Sequence, residues 1–368
     1  MNLIPIFQPS VPESVVQRVA ATLRAGWLSE GKHVREFEDA FARKFSLPDA
    51  LALNNGTAAL HLAVLGAGVG TGDEVIIPAQ TFVATATAIL MAGGTPVFAD
   101  IQHGGPNIDP ADVERRITPR TKAIIVVHYG GYPCDMDEIN AVAQKHGLKV
   151  IEDAAHALGA SYRGRPVGAL GDFAIFSFQA IKQLTTGDGG MLVCREAEAH
   201  QTAYRRRWFG IDRANRKPSP LGQPEWDITE LGYKYHMNDV AAAMGLAQLE
   251  VFDAAQARRQ MLNQLYRREL AKVPGLTLLV EQADRVSGCW LFTIRVERRL
   301  EFIKALKSHG VDCAVWHQRI DHNSIFGGER PDLPNQARFN EEQASIPCRD
   351  TLTDAEAKAV LKAVQVGW

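Results

Sequence analysis

Short apolar segments alternate with helical segments between residues 50 and 153, and this alternation restricts the fold more than any other feature of the sequence. The apolar segments contain few polar residues, which is typical of strands that are covered on both faces. The predicted strands and the helices that follow them are 51–53 and 58–65, 75–78 and 82–92, 96–98 and 110–116, 123–127 and 136–146, and finally 149–151. The pattern predicts an α/β fold with a mostly parallel sheet between layers of helices.

A single lysine follows a further apolar segment near the middle of the chain. Residues 173–178 predict a strand, Lys182 and the glycine-rich turn 187–190 come next, and residues 191–193 predict a second strand. Apolar surroundings lower the pKa of a lysine because its charged form loses hydration. A neutral amine can attack a carbonyl and hold it as a Schiff base. The alternative is a surface lysine on a hairpin turn, and this segment alone leaves both interpretations open.

Four residues come directly after predicted strands, at the edge where parallel sheets bind ligands: Thr57, Phe82, His128 and Asp153. The strand, Gly-Thr turn and helix around Thr57 expose backbone N–H groups that suit a phosphate. Thr57 as a plain helix N-cap explains the same residues. A turn or cap role is equally open for Asp153. The glycines of 66–73 follow a helix and precede a strand, so they predict a loop and not a dinucleotide-binding fingerprint.

Helical periodicity also extends to both sides of this region. It predicts helices within 12–45, interrupted at 26–31, then an alanine-rich helix that Asn238 caps and an amphipathic helix at 251–270. The last hundred residues carry predicted strands at 276–280 and 290–296 and predicted helices at 301–309 and 355–364. We therefore predict a large domain at 1–250 and a smaller C-terminal α/β domain at 251–368. The arginines of 205–207 predict a solvated helix face more than an anion site.

Composition excludes several classes of protein. The 40 basic and 42 acidic residues give a net charge of −2, so no nucleic-acid-binding surface is predicted. Five scattered cysteines without a CxxC pair predict neither a disulfide framework nor a zinc site, and they fit a reducing compartment. The N-terminus lacks a signal-peptide pattern, and the three threonines, two glycines and one proline of the apolar segment 82–99 favour a buried helix and strand there over a membrane span. We expect a soluble cytoplasmic protein without a metal.

Seven segments together resemble the DegT/DnrJ/EryC1/StrS family of sugar aminotransferases, which have the aspartate-aminotransferase (type I) pyridoxal-phosphate fold. In chain order they are GWLSEGKHVREFE, NNGTAALHLA, GDEVIIPAQTFVATATAI, TKAIIVVHYGGYPCDMD, VIEDAAHALGA, FSFQAIKQLTTGDGGMLV and LGYKYHMNDVAAAMGLAQLE. Each segment alone is modest evidence, but seven in the right order make a chance match implausible, and the resemblance extends over nearly the whole chain. The resemblance implies a pyridoxal 5′-phosphate cofactor, with pyridoxamine phosphate as an intermediate form, and a homodimer with shared active sites.

The resemblance also implies roles for individual residues. Lys182 would form the Schiff base with the cofactor and move the proton of the reaction. Asp153 would pair with the pyridine nitrogen, which keeps the ring able to accept electrons. His156 would contact the phenolic oxygen, and Phe82 would stack on the ring. The cofactor phosphate would be held by the N–H groups of Thr57 and Ala58 and by Ser177.

The chain departs from the family pattern in two places, and Lys182 distinguishes it from one branch of the family. Many relatives have Gly-Tyr-Asn-Tyr-Arg in a loop that reaches the partner subunit's phosphate, whereas this chain has Lys234 and His236 at the polar positions. Either side chain would be the donor here. Gln179 stands where relatives often have histidine. Lys182 replaces the histidine of the family's sugar 3-dehydratases, which favours transamination over dehydration.

The resemblance therefore implies transfer of an amino group from L-glutamate or glutamine to a keto-sugar. The expected acceptor is a nucleotide-linked 3- or 4-keto-6-deoxyhexose, for surface polysaccharides such as O-antigen and lipopolysaccharide or for natural products. An amino-cyclitol transaminase, a sugar dehydratase or deaminase, and a regulatory protein that retains the fold are the alternatives. Candidate sugar contacts are Trp27, Ser29, His128, Tyr129, and the stretch 316–323 with His317 and Asn323. Each of these residues also suits an ordinary packed or solvated loop.

Overall fold

A computed structural model describes residues 3–212 and 217–368. Its helices are α1 (Glu13–Ala25), α2 (Lys32–Phe45), α3 (Gly56–Gly66), α4 (Ala84–Met91), α5 (Pro110–Arg115), α6 (Met136–His146), α7 (Ala197–Arg206), α8 (Asp239–Leu270), α9 (Arg299–Ser308), α10 (Pro334–Glu342) and α11 (Asp354–Gln365). Its strands are β1 (Ala50–Leu53), β2 (Glu74–Pro78), β3 (Thr95–Ala99), β4 (Thr121–Val127), β5 (Lys149–Asp153), β6 (Ser161–Tyr162), β7 (Arg165–Pro166), β8 (Phe173–Ser177), β9 (Gly190–Cys194), β10 (Lys217–Pro218), β11 (Pro224–Glu225), β12 (Leu276–Leu278), β13 (Arg285–Val286), β14 (Phe292–Val296) and β15 (Gln343–Ile346).

Seven strands form the main sheet in the order β1-β9-β8-β5-β4-β2-β3. The β3–β2, β2–β4, β4–β5 and β5–β8 pairs are parallel, as the strand–helix alternation predicts. Strand β9 runs antiparallel to both of its neighbours, β8 and β1. A crossover helix is needed only between parallel strands, so β8 and β9 are joined by the single connection 178–189, which contains Lys182.

Helices cover both faces of this sheet and enclose two apolar cores. One core joins the sheet to α2, α6 and the first half of α8, with Phe37, Phe41 and Phe252 completely or almost completely buried. The other joins the opposite face to α3 and α4, which are mostly apolar because most of their surface is covered. The predicted α/β class with a mostly parallel sheet is confirmed.

A smaller sheet, β12-β14-β15, lies in the C-terminal part of the chain. Its core contains Leu262, Tyr266 and Leu270 from the second half of α8 together with residues of α9 and α11. The separate helix predicted at 251–270 is wrong, because α8 continues without a break from Asp239 to Leu270. Asn238 caps it as predicted, accepting a hydrogen bond from the Ala241 N–H at 2.9 Å. The domain division after residue 250 stays a prediction, and that position lies inside α8.

Two local expectations require correction. The N-cap of α3 is Asn55 and not Thr57, because the Asn55 side chain accepts a hydrogen bond from the Ala58 N–H at 2.7 Å. The 205–207 arginines do not form a solvated face. Arg207 is 1% exposed and pairs with Glu30 and Glu38. Helix α10 and strand β15 are additional elements that the periodicity did not indicate.

No helix in the described ranges 3–212 and 217–368 is long and apolar enough to cross a membrane.

Candidate active site

A cavity of about 390 Å³ lies at the carboxyl-terminal edge of the parallel strands. Residues that follow or end β1, β2, β5 and β8 line it, as expected for a sheet of this kind. Seven of the predicted site residues meet in its wall: Thr57, Phe82, Asp153, His156, Ser177, Lys182 and His317. The topology therefore gathers side chains that are far apart in the sequence into one site.

Lys182 projects from the connection between β8 and β9. Its Nζ lies 3.8 Å from the centre of a Trp290 ring, and within the described part of the chain it forms no salt bridge. Desolvation of the amine lowers the pKa of Lys182 to about 7, although the charge of Asp153 acts in the opposite direction. The side chain is still partly accessible from the cavity. Near neutral pH a large fraction of the amine is therefore unprotonated and able to attack a carbonyl.

Asp153 is the last residue of β5 and is buried. Its Oδ2 accepts a hydrogen bond from Thr85 Oγ1 at 2.8 Å, and its Oδ1 accepts one from the Ala155 N–H at 3.2 Å. Burial raises the pKa of Asp153, and these two donors and the charge of Lys182 oppose the rise. A protonated ring nitrogen would supply the cationic donor that an ionised carboxylate at this place requires.

Two histidines extend the wall beside Lys182. The His156 ring stacks on Trp290 with ring centres 3.9 Å apart, and it lies parallel to His317 at 5.3 Å. Burial, followed by the charge of Lys182, lowers the pKa of both rings, that of His317 to about 3. Both imidazoles are therefore neutral at pH 7. The Nε2 atom of His317 is buried and has no hydrogen-bond partner among the described residues, so it is available to a bound molecule.

Another part of the cavity wall has groups that suit an anion. Helix α3 begins there, so its N–H groups and positive dipole end face the site beside the side chains of Thr57 and Ser177. Close packing explains two glycines: a Cβ on Gly56 would lie 3.2 Å from Ser177 Cβ, and one on Gly190 would lie 2.5 Å from the Asn55 carbonyl oxygen. The Ala58 N–H already donates to Asn55, which leaves Thr57 and Ser177 as the groups in the cavity wall.

The other predicted residues do not line this cavity. His128 is completely buried, and both of its ring nitrogens have partners inside the protein. Its Nε2 pairs with Glu152 at 3.0 Å, and its Nδ1 accepts a hydrogen bond from the Cys134 N–H at 3.0 Å. Its predicted sugar contact is therefore not supported by the structure. Tyr129 is also buried and packs behind His156 and His317.

Trp27, which is 65% exposed, and Ser29 lie on the α1–α2 connection, away from the cavity wall. Asn323 uses its amide to cap the Ile320 carbonyl at 2.7 Å. Lys234 is exposed and His236 is bridged to Leu53, on a segment beside β1. The structure therefore brings none of these five residues into the cavity of a single subunit.

Several residues of the wall were not predicted. Thr85, Asp188 and Trp290 line the cavity, and Gln179 does so as well. The apolar pattern predicts that Trp290 belongs to a strand, whereas the structure places it before β14. Thr85 was assigned only to a helix. Its partner, Asp153, lies on a different strand, and only the tertiary fold brings the two together.

Comparison with known proteins agrees with this geometry. The DegT/DnrJ/EryC1/StrS aminotransferase family matches residues 9–365. The spore coat polysaccharide biosynthesis protein SpsC of Bacillus subtilis is 38% identical over 99% of this chain and 97% of its own length.

Solved structures are similar over the whole chain. The sugar aminotransferase CalS13 from Micromonospora echinospora has a TM-score of 0.94 and 33% identity, and all of both chains is covered. The PLP form of Spr1654 from Streptococcus pneumoniae has a TM-score of 0.92 and 29% identity over 99% of this chain and 98% of its own. The present chain belongs to the DegT/DnrJ/EryC1/StrS family and is a pyridoxal-phosphate-dependent sugar aminotransferase.

Proposed function

We propose that this enzyme transfers the amino group of L-glutamate or L-glutamine to a nucleotide-linked 3- or 4-keto-6-deoxyhexose. The product would serve the synthesis of a surface polysaccharide or an amino-sugar natural product. The name of SpsC, a spore coat polysaccharide biosynthesis protein, supports the first of these uses. The observation that carries the proposal is the Lys182 amine, with a pKa of about 7, in one cavity with the Asp153 carboxylate.

The residues of the cavity fit pyridoxal phosphate. Lys182 would hold it covalently, Asp153 would bind its ring nitrogen, and the start of α3 with Thr57 and Ser177 would bind its phosphate. Phe82, 55% exposed at the cavity, offers a ring face for stacking. When bound, the cofactor carries the amino group between the two substrates and withdraws electrons from the carbon that loses a proton.

The chain's own groups would handle the proton. Released Lys182 would accept a proton from the substrate carbon and return it, and a pKa of about 7 suits both directions at neutral pH. The neutral His156 ring would orient the cofactor by a hydrogen bond. The unpartnered His317 Nε2 would bind a polar group of the substrate. The Trp290 ring, which lies 3.8 Å from the amine, would restrict water there.

We also propose that two subunits share their sites, with Lys234 or His236 reaching the phosphate bound to the partner. The basis is that these residues are brought to the side of β1 but not into the subunit's own cavity. A large domain at 1–250 and a small one at 251–368 belong to the same proposal. A fully active monomer, identified by light scattering at assay concentration, would contradict the shared site.

Spectra and product analysis test the proposed reaction. Adding L-glutamate to the purified enzyme is expected to replace the long-wavelength band of the pyridoxal form with the shorter-wavelength band of the pyridoxamine form. The enzyme in that form is then offered nucleotide-linked 3- and 4-keto-6-deoxyhexoses, with a keto-cyclitol as the control acceptor. Amination of the cyclitol alone, or release of ammonia without an aminated product, would contradict the proposal.

A further inference from the structure

Trp290 makes three contacts around the lysine that the mechanism uses. One of its rings lies 3.8 Å from the Lys182 Nζ, and its indole N–H donates to the carbonyl oxygen of Ile181 at 2.9 Å. The same side chain stacks on His156. Trp290 therefore contacts both the amine of Lys182 and the backbone immediately before it, although it lies more than a hundred positions later in the chain.

Trp290 also lines a second cavity, of about 350 Å³, to which Lys182 contributes as well. Both cavities are lined by Ile181, Lys182 and Trp290, which together form a partition between them. Without the indole, the flexible lysine side chain would have space on either side. Trp290 thus limits the positions that the amine can take.

The N-terminal segment fixes Trp290 in turn. Phe7 stacks on Trp290 with ring centres 5.3 Å apart, and it meets Trp316 edge-on at 4.3 Å. The Ile4 carbonyl accepts the Asp312 N–H at 2.9 Å, so this segment is held to the C-terminal part of the chain. Trp290 is 4% exposed and has little freedom to move.

We propose that Trp290 is a positioning residue that holds the free amine of Lys182 at the cofactor cavity and stabilises its protonated form. An aromatic face attracts a cation, and the attraction is strongest where water is excluded. Trp290 would therefore keep the proton on Lys182 between its removal from one substrate and its return. This inference rests on the proposed role of Lys182, but the contact itself can be tested without any substrate.

Other charged or titratable groups also lie around Lys182. They are Asp153 and Asp188 with the neutral His156 and His317 on the cofactor side, and Arg258, Arg259, Arg349 and Asp350 in the second cavity. Each of the three arginines already has a carboxylate partner: Asp354, Asp350 and Glu356, respectively. A change in the titration of Lys182 in a Trp290 variant would therefore report the loss of the indole.

The test is competitive acetylation of Lys182 with acetic anhydride in the full-length protein after cofactor removal, followed by peptide mass spectrometry over a pH series. The labelling midpoint gives the pKa of Lys182. In Trp290→Leu we expect the midpoint to fall by about one unit, and in Trp290→Phe by roughly half as much, because phenylalanine keeps a weaker aromatic face. The pH profile of kcat in the cofactor-loaded enzyme should move in the same direction.

Trp316→Leu is the matched control. Trp316 lines the same cavity and packs on the same Phe7 but is not in contact with the Lys182 amine through its ring, so the midpoint should not change. An unchanged or raised midpoint in folded Trp290→Phe would overturn the proposal, whether or not the leucine variant folds. An equal fall in Trp316→Leu would also overturn it. Neither result depends on turnover, whereas an active Lys182→Ala variant would instead refute the proposed role of the lysine.

Discussion

Arg207 and Lys182 both lose much of their contact with water, but their partners differ. Arg207, at the end of α7, is 1% exposed and donates to Glu30 at 3.0 Å, to the Ala52 carbonyl at 3.2 Å and also to Glu38. Lys182 meets a Trp290 ring and forms no salt bridge with any described residue.

The difference in partners decides what each group can do. Burial disfavours the charge of Arg207, but Glu38 and Glu30 outweigh it and raise the pKa of the guanidinium, so this group never titrates near neutral pH. Desolvation of Lys182 is only weakly opposed, by Asp153, and its pKa falls to about 7. Full pairing therefore makes Arg207 a structural link among α2, β1 and α7. Incomplete pairing makes Lys182 reactive.

The largest expected effect is the loss of activity when the Lys182 amine is removed. Lys182→Ala should reduce sugar amination by at least about 10²–10⁴-fold, because the general acid–base group is lost, while the folded protein persists. Steady-state amination assays measure the loss. Lys149→Ala, at the exposed start of β5, is the control and should retain activity. Near-normal turnover by Lys182→Ala would show that Lys182 is not the reactive group, and its contrast with the structural Arg207 would then be wrong.

The next effect concerns stability. Arg207→Met should lower the free energy of unfolding by about 3–5 kcal/mol, because the largely enclosed carboxylates of Glu30 and Glu38 lose the cation that balances their charge. Urea unfolding of the variant and of wild type measures this. Arg18→Ala breaks the exposed pair with Glu250 and should cost no more than about 1 kcal/mol.

A triple variant sharpens this result. Arg207→Met combined with Glu30→Gln and Glu38→Gln removes the uncompensated charge, so it should be more stable than Arg207→Met alone. If Arg207→Met matched Arg18→Ala in stability, the structural role assigned to the buried arginine would be wrong.

The smallest expected effect is the pH dependence that Lys182 gives to the cofactor-free protein. Its pKa is about 7 in the folded chain and about 10.4 when unfolded, so the unfolded state binds more protons between these values. Stability should therefore rise with pH across this window. Urea unfolding at pH 7 and pH 9 should show a larger gain for wild type than for Lys182→Met. An equal gain in stability for the two proteins would show that the amine is not desolvated. Arg207 should not contribute to the dependence of stability on pH, because its raised pKa keeps it charged at both pH values.

The sequence was sufficient for most of the fold. Continuous apolar segments identified the parallel strands because strands covered on both faces need no polar residues. The same logic failed for α10 and β15, which carry polar residues such as Asn340 and Gln343 that find partners only in the tertiary structure. It also missed the continuity of α8, because the change in the apolar pattern near residue 250 reflects two different cores and not a break.

The site was predictable where a residue's position in the chain fixes its place. Asp153 ends a strand and Lys182 follows one, so both lie at the ligand-binding edge. His128 occupies an equivalent position, but its ring turns into the interior to pair with Glu152. Trp290 reaches the site from a distant segment, and no local pattern records such a contact. The roles that the family resemblance gives to Thr57, Ala58, Ser177 and Lys234 stay predictions.

The continuous helix α8 has a consequence for attempts to divide this protein. At 1.5 Å per residue its 32 residues span about 48 Å, and its two halves supply side chains to two separate cores. Dividing the chain after residue 250 would cut α8 into two parts, one at the end of the first fragment and one at the start of the second. The first fragment would lose Phe252 from its core, and the part of α8 that packs in the other core would start at a free helix end. New chain ends in split or circularly permuted versions should therefore be placed in surface loops. A chimera with a relative should take the whole of α8 from one of the two proteins.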